Sequence, residues 1–425
     1  MKHVVGALAL AICASLVIGG CGSSAGTGGS SSSGPVTLTF WGTYGNGGNK
    51  AQTDALNNTI IPAFEKQYPN VKVNYVDVPY DSLEQKLETG AAGGELPDLI
   101  RSDITWVPKF ASLGVFAQLD GSMPNFDTLA KADYPGTLAA NKWNGHYYGL
   151  PLDTNTRVLI SNQTALTSAG ISAPPTTFDQ LQSDATALAA QKVSVFADSN
   201  LQAWDVLPWI WSGGGNIANP QLTKATGYLN GPKSVAAVQM LVNLYKQGAI
   251  PNLIIGNKGG VQTQDGLPKG NYANILDGPW MHDIWAAQYG SFNPVYSPMP
   301  AGAGGSISVV GGEDIVMTAS SKNATADQEF IAFTQSAAFQ LPMAKTGEMS
   351  VVSSLGTQEV AATPYLAPYV KQLATARSRP AVPAATQIDT VLQDDLTPAF
   401  QGTESVQDAL NKAASQIDPL LTATH

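Results

Sequence analysis

Cysteine is nearly absent: of 425 residues, only Cys13 and Cys21 carry a thiol. Cys13 lies in an apolar run from Val4 to Ile18, which follows Met1-Lys2-His3 and precedes Gly19-Gly20-Cys21. A short basic start, about 15 apolar residues and small residues before a cut make a secretory signal, whereas a membrane span needs ~20 apolar residues. With residues 1–20 removed, Cys21 is the sole cysteine. That excludes an intrachain disulfide, a cysteine metal site and a redox pair. Histidine is equally sparse: His146, His282 and His425 stand far apart, so a histidine metal centre is not expected. Neither G-x-x-x-x-G-K-[ST] nor a helix-opening G-x-G-x-x-G occurs, which leaves a nucleotide site without support. No cofactor is expected. Positive charge is also short. The net charge of −10 and pI near 4.8 argue against nucleic acid or an anionic membrane surface as partner. Arginine is limited to Arg101, Arg157, Arg377 and Arg379, few bidentate donors for a chain built to clamp phosphates.

What is present begins at the N-terminus. Gly19-Gly20-Cys21 resembles a bacterial lipobox, in which the cysteine is acylated and becomes the mature N-terminus. Residues 21–35, with the run GSSAGTGGSSSSG, cannot bury anything and read as a flexible tether. Gly22-x-Ser24-x-Gly26 formally matches a hydrolase nucleophile elbow. That motif needs a strand before it and a helix after it, and a Gly/Ser tether offers neither.

The roughly 390 residues beyond the tether exceed one comfortable core, so two lobes are expected. PVTLTFWGT alternates as a strand, and Leu56, Ile60 and Phe64 recur at helical spacing, with Pro62 kinking or restarting the helix. NVKVNYVDV is a strand, YDSLEQKLETG a helix capped by Asp81 or Ser82, and LPDLI a short buried strand. This alternation is the mark of an α/β layer. Asn144-Gly145 signals a hairpin between aromatics, Thr177 and Gln180 have the spacing of a capping box, and the middle third reads as mostly helical.

Several blocks, in order and over nearly the whole mature chain, carry a family resemblance. They are LTFWG, IPAFEKQYPNVKV, LETGAAGGELPDLI, LGVFAQLD, NGHYYGLPLDTNTRVLISN, PPTTFDQL, ILDGPW, VVGGEDIVM and SRPAVPAATQI. Together they resemble the bacterial extracellular solute-binding proteins of the large sugar-binding family that includes maltose-binding protein. The resemblance implies an α/β, two-lobed, periplasmic-binding-protein-like (type II) fold with a hinge and an inter-lobe ligand cleft. It implies residues 36–153 and 304–350 as one lobe, and 154–303 and 351–425 as the other. It also implies a non-enzymatic monomer that binds a carbohydrate and delivers it to the permease subunits of an ABC transporter. The lipid on Cys21 would hold it on the outer face of the cytoplasmic membrane.

A neutral sugar offers hydroxyls and apolar ring faces, so its site needs polar groups beside flat aromatics. In open α/β sheets, ligands gather beyond the carboxyl ends of strands. Trp41 follows the first strand, with Tyr44 and Asn46 just beyond; Trp106 follows PDLIRSD; Trp204 and Trp209 crowd the segment before Gly213. Trp280 is the sharpest candidate. In ILDGPW the strand stops at Gly278-Pro279, and the block resembles the family's aromatic platform. Asp277 is expected to hold that turn, and Asp283 to face solvent or start a helix. Among polar residues, Asp103 lies past the strand DLI, and Asp153 and Asn155 sit at the first lobe crossing, where either could reach a ligand held between lobes; the alternative is that Arg157 pairs with Asp153 and stiffens the hinge. Glu313 and Asp314 follow two glycines. As sequence neighbours on a strand they point to opposite faces, so at most one faces the cleft. Arg379 lies in a loop that matches the family.

The competing class is a secreted glycoside hydrolase, which would use two carboxylates ~5 to 10 Å apart. No hydrolase block is identified. A third reading keeps the fold and changes the ligand to a polyol, a polyamine or a glycerophosphodiester.

Overall fold

A computed structural model describes residues 34–45, 50–256 and 263–422. The expected signal, most of the tether, Cys21, Asn46 and His425 lie outside the described residues. Eleven strands are described. In order they are β1 (Val36–Gly42), β2 (Val71–Asp77), β3 (Leu99–Asp103), β4 (Lys142–Trp143), β5 (His146–Tyr147), β6 (Gly149–Thr156), β7 (Val158–Asn162), β8 (Asn274–Asp277), β9 (Pro294–Ser297), β10 (Val309–Met317) and β11 (Arg377–Ser378).

Two sheets organise the molecule. The larger runs β11-β10-β3-β1-β2, with β6 pairing the other edge of β10; the smaller runs β8-β7-β9. β1 is parallel to β2 and β3, while β10 lies antiparallel to β3 and β6. Period-two alternation splits each sheet's apolar residues between two cores. Leu38, Phe40, Leu99, Ile315 and Phe330 pack on one face of the larger sheet, and Ile100, Val107, Phe110 and Val316 on the other. Around the smaller sheet, Leu159 and Leu276 join a large helical core, whereas Val158, Ile160 and Ile275 pack with Met281, Trp285 and Tyr369. Each sheet is thus a layer between helices, as two α/β lobes require.

The chain passes between the sheets at Thr156-Arg157-Val158, with β6 in one and β7 in the other. β10 makes the same journey: Val309 belongs to the large helical core, and Ile315 and Met317 to the larger sheet's core.

Local signals act largely as expected. Asn144 and Gly145 both have positive φ, as a two-residue hairpin between β4 and β5 demands. The Thr177 hydroxyl accepts from Gln180 N at 3.2 Å, while the Gln180 side chain reaches Thr176 N at 2.7 Å. Pro62 stands in the first turn of helix Ile61–Gln67, directly after a π-helical turn, Leu56–Ile60, so the helix restarts there. Three details differ. Helix Tyr80–Gly93 begins directly after Pro79 without a side-chain cap, so neither Asp81 nor Ser82 caps it. β3 begins at Leu99 and continues through Asp103. Trp41 lies within β1 rather than after it.

Candidate functional site

Where β3, β6 and β10 run side by side, they bring Arg101 against Asp153 and Glu313, and the segment bridged to β6 through Met349 adds Glu348. Arg101 Nε and Nη2 donate to Asp153 at 3.2 and 3.4 Å. Nη2 also stands 2.8 Å from Glu313 and 3.4 Å from Glu348. Nη1 donates to Thr43 Oγ1, and Gln52 Nε2 to Glu348 Oε1. Arg101, Asp153 and Glu348 are buried, with Glu313 nearly so. Burial opposes the charge of Arg101, but the three carboxylates outweigh it and hold the guanidinium firmly protonated. Burial raises Glu348 to about 8, aided by Asp153 and opposed by Arg101. Glu313 is pushed well up for the same first reason, with Arg101 opposing.

Beside this knot lies an aromatic stack. Trp204, on helix Ala203–Ser212, and Trp280, which precedes helix Met281–Gln288, stack with ring centres 6.4 Å apart at 25°. Both are half-buried. The Arg379 guanidinium lies 5.2 Å from the Trp204 ring and 3.6 Å from Asp103 Oδ1. Tyr80 donates to the other Asp103 oxygen at 2.7 Å, and Thr105 N donates to Oδ1 at 2.7 Å. Gly311 makes the crowding possible, because a Cβ there would meet Asn155 Oδ1 and come within 2.6 Å of the Trp204 ring. Gly312 has φ of +128°, which a side chain would strain.

A second arginine stands beneath Trp204. Arg157 Nη2 donates to both oxygens of Asp198 at 2.8 and 2.9 Å, and Nη1 to Asp205 at 3.2 Å and to the Trp204 carbonyl at 3.1 Å. Asp277 ends β8, accepts from Gly278 N at 2.8 Å, and is raised to about 6 by burial, against the pull of Arg157. It holds the turn, as expected.

The candidates separate on this geometry. Asp103, Asp153, Asn155, Trp204, Trp280, Glu313 and Arg379 come together, with Tyr44 buried beneath the Arg101 guanidinium at 4.5 Å. Trp209 does not join them. It is 1 % exposed and wedged between Phe178 and Phe196 in the helical core, on the far side of its helix from Trp204. Trp41 lies under Lys86 Nζ at 4.0 Å, and Trp106 packs on Tyr80 with ring centres 5.5 Å apart; both belong to the apolar cluster on the other face of the larger sheet. Glu313 and Asp314 do point apart: Glu313 faces Arg101, whereas Asp314 is fully buried and takes Asn141 Nδ2 at 2.6 Å. The alternative Arg157–Asp153 pair does not form, since Arg101 takes Asp153 and Arg157 takes Asp198 and Asp205. Sequence reading missed Arg101, Glu348 and Tyr80, and also Tyr365, whose hydroxyl and Trp280 N both border Gly347, next to Glu348. Arg101 had a signal, being one of four arginines and directly preceding Ser102-Asp103 at a strand end.

Several buried polar atoms around the stack and the knot have no hydrogen-bond partner among the described residues: Tyr44 Oη, Asn155 Oδ1, Glu348 Oε2, Tyr365 Oη and Arg379 Nε. Such atoms are rare in interiors, because each forfeits its hydration. Aromatic faces beside unspent donors and acceptors are what binding a polyhydroxylated ring requires.

Comparison with known proteins agrees with this architecture. The family model for bacterial extracellular solute-binding proteins matches residues 47–341, and the chain belongs to that family. Its fold is that of the two-lobed sugar-binding proteins. The GacH receptor of Streptomyces glaucescens, solved unliganded and with acarbose, superposes with a TM-score of 0.80 at 24% identity, covering 92% of this chain and 100% of that one. A cyclic alpha-maltosyl-1,6-maltose binding protein from Arthrobacter globiformis gives a TM-score of 0.77 at 25% identity, covering 92% and 100%. A Deinococcus radiodurans chain described as "Probable ABC transporter-binding protein" is 28% identical over 68% of this chain and 69% of its own.

Proposed function

We propose that the protein is the carbohydrate-binding component of an ABC importer. It captures a mono- or oligosaccharide between its lobes and presents it to the permease subunits. The observation that carries this reading is the Trp204–Trp280 stack set beside unpartnered buried polar atoms. A sugar ring would part or cap the two indoles and give hydroxyl partners to Tyr44, Asn155 and Arg379, while closure removes water from both kinds of contact. Relatives whose names state a sugar ligand or an ABC transporter support the class. Acylation of Cys21 would tether the lobes to the outer face of the membrane, with residues 21–35 as the leash. Among the described residues no helix is long and apolar enough to cross a membrane.

The test is mass spectrometry of ligand carried through purification of the mature chain, followed by titration of the stripped protein with gluco- and galacto-oligosaccharides. Binding with the sugar returned intact supports the receptor. A shortened sugar overturns it in favour of a hydrolase.

A further inference from the structure

Behind Trp280, His282, Tyr296, Tyr365 and Tyr369 pack as one group. His282 lies flat on Tyr365, with ring centres 3.8 Å apart at 11°, and Tyr296 meets Tyr365 at 5.8 Å and Tyr369 at 5.7 Å. The other members spend their polar edges inside the group or on the turn it supports. Tyr369 Oη donates to the Gly278 carbonyl at 3.2 Å, and Tyr296 Oη shares a hydrogen bond of 3.0 Å with His282 Nδ1. Tyr365 differs: its hydroxyl is buried and has no hydrogen-bond partner among the described residues. For packing alone that hydroxyl is a cost, because burying it unpaired forfeits its hydration. Its place gives it a use. A Cβ on Gly347 would stand 3.2 Å from Tyr365 Oη, from the Pro279 carbonyl and from Trp280 N, so the hydroxyl lies at the root of the Trp280 residue. The segment leading into Glu348 passes there, Glu348 is among the acidic neighbours of Tyr365, and its Oε2 is likewise unpartnered. Open polar atoms thus reach from the Arg101 knot to the foot of the aromatic stack.

Resting on the carbohydrate reading, we infer that Tyr365 is a specificity-determining residue of the sugar site, its hydroxyl pairing with one hydroxyl on the edge of the ring that lies on Trp280. A phenol both donates and accepts, so it serves a sugar hydroxyl in either sense. The indoles hold a ring by its apolar face and leave its hydroxyl pattern unread. An edge contact reads it: a site built to bond one hydroxyl rejects the analogue lacking it, because the site's own buried group is then left unpaired. The stack on His282 fixes the Tyr365 ring, so the hydroxyl is placed before the sugar arrives.

The experiment compares the mature wild-type protein with Tyr365→Phe at pH 7, by calorimetric titration with glucose, galactose, maltotriose and β-1,4-galactotriose and by thermal unfolding without sugar. Phenylalanine keeps the ring on His282 and removes only the unpartnered group, so the transition should stay within about 2 °C or rise. Affinity for each probe that the wild type binds should fall about tenfold. The tightest probe is then offered with one hydroxyl at a time replaced by hydrogen. One replacement should cost the wild type about tenfold or more, and cost Tyr365→Phe less than about threefold. Equal affinity in the two proteins, or no replacement whose cost disappears in the variant, overturns the inference and leaves the carbohydrate reading standing. So does a variant that fails to fold or unfolds more than about 5 °C lower, because the hydroxyl then serves the fold. Failure of every probe to bind the wild type overturns both.

Discussion

Two buried arginines support the site, and each meets several acids, but they close their surroundings differently. Arg157 Nη2 reaches both oxygens of Asp198, and Nη1 reaches Asp205 and the Trp204 carbonyl; Ser199 N also donates to Asp198 at 3.0 Å. Arg101 divides itself among Asp153, Glu313 and Glu348, and leaves unpartnered oxygens on Glu348 and Tyr44. The first knot has its acids gripped and leaves a donor, Arg157 Nε, without a partner; the second leaves acceptors open. Which kind of group stays open therefore distinguishes the two knots where burial and charge do not.

The largest effect that would break this contrast is on stability. Arg157→Met strands Asp198 and Asp205 in the interior, and we expect a loss of ~3–5 kcal/mol in chemical denaturation. A loss below ~1 kcal/mol would remove the brace. Trp209→Ala should cost a similar ~3–5 kcal/mol through the cavity it leaves, with ligand affinity nearly unchanged in the folded fraction.

Trp280→Ala should reverse that pattern. The ring is half-buried against Trp204, so we expect a stability loss of ~1–2 kcal/mol, above that of a fully exposed residue and near the worth of an aromatic pair. Sugar affinity should fall about ten- to a hundredfold, read by titration calorimetry, for loss of one large aromatic contact. Unchanged affinity would move the platform elsewhere. The neighbouring acids sharpen the point further: Glu313→Gln should shift affinity several-fold, whereas Asp314→Asn should leave it alone, because Asp314 is held under Asn141 on the opposite face.

The last effect is on pH dependence. Burial raises Glu348 and Asp133 to about 8 and Asp327 and Glu359 to about 7. An acid whose folded value lies above its unfolded one binds its proton more tightly when folded. Its contribution is complete below the ordinary carboxyl value, near ~4, and is lost as pH rises through 7 to 8. The urea midpoint should therefore be higher at pH 5.5 than at pH 8.5, and Glu348→Gln should flatten part of that slope. A midpoint that rises with pH would contradict the burial of these acids.

The family blocks, the strand and helix periods, the Asn144-Gly145 hairpin and the stop after Asp277 were all legible in the chain, because each depends on residues within a few positions of one another. So was the divergence of Glu313 and Asp314, since alternation along a strand is local geometry. Tertiary structure alone decided which tryptophans come together: Trp204 and Trp209 share a helix, and only its docking onto Phe178 and Phe196 buries one and leaves the other beside Trp280. The same holds for Arg101. Its partners lie 52, 212 and 247 residues away in Asp153, Glu313 and Glu348, and no spacing along the chain records a pairing that forms only when two neighbouring strands and a bridged loop are laid beside β3.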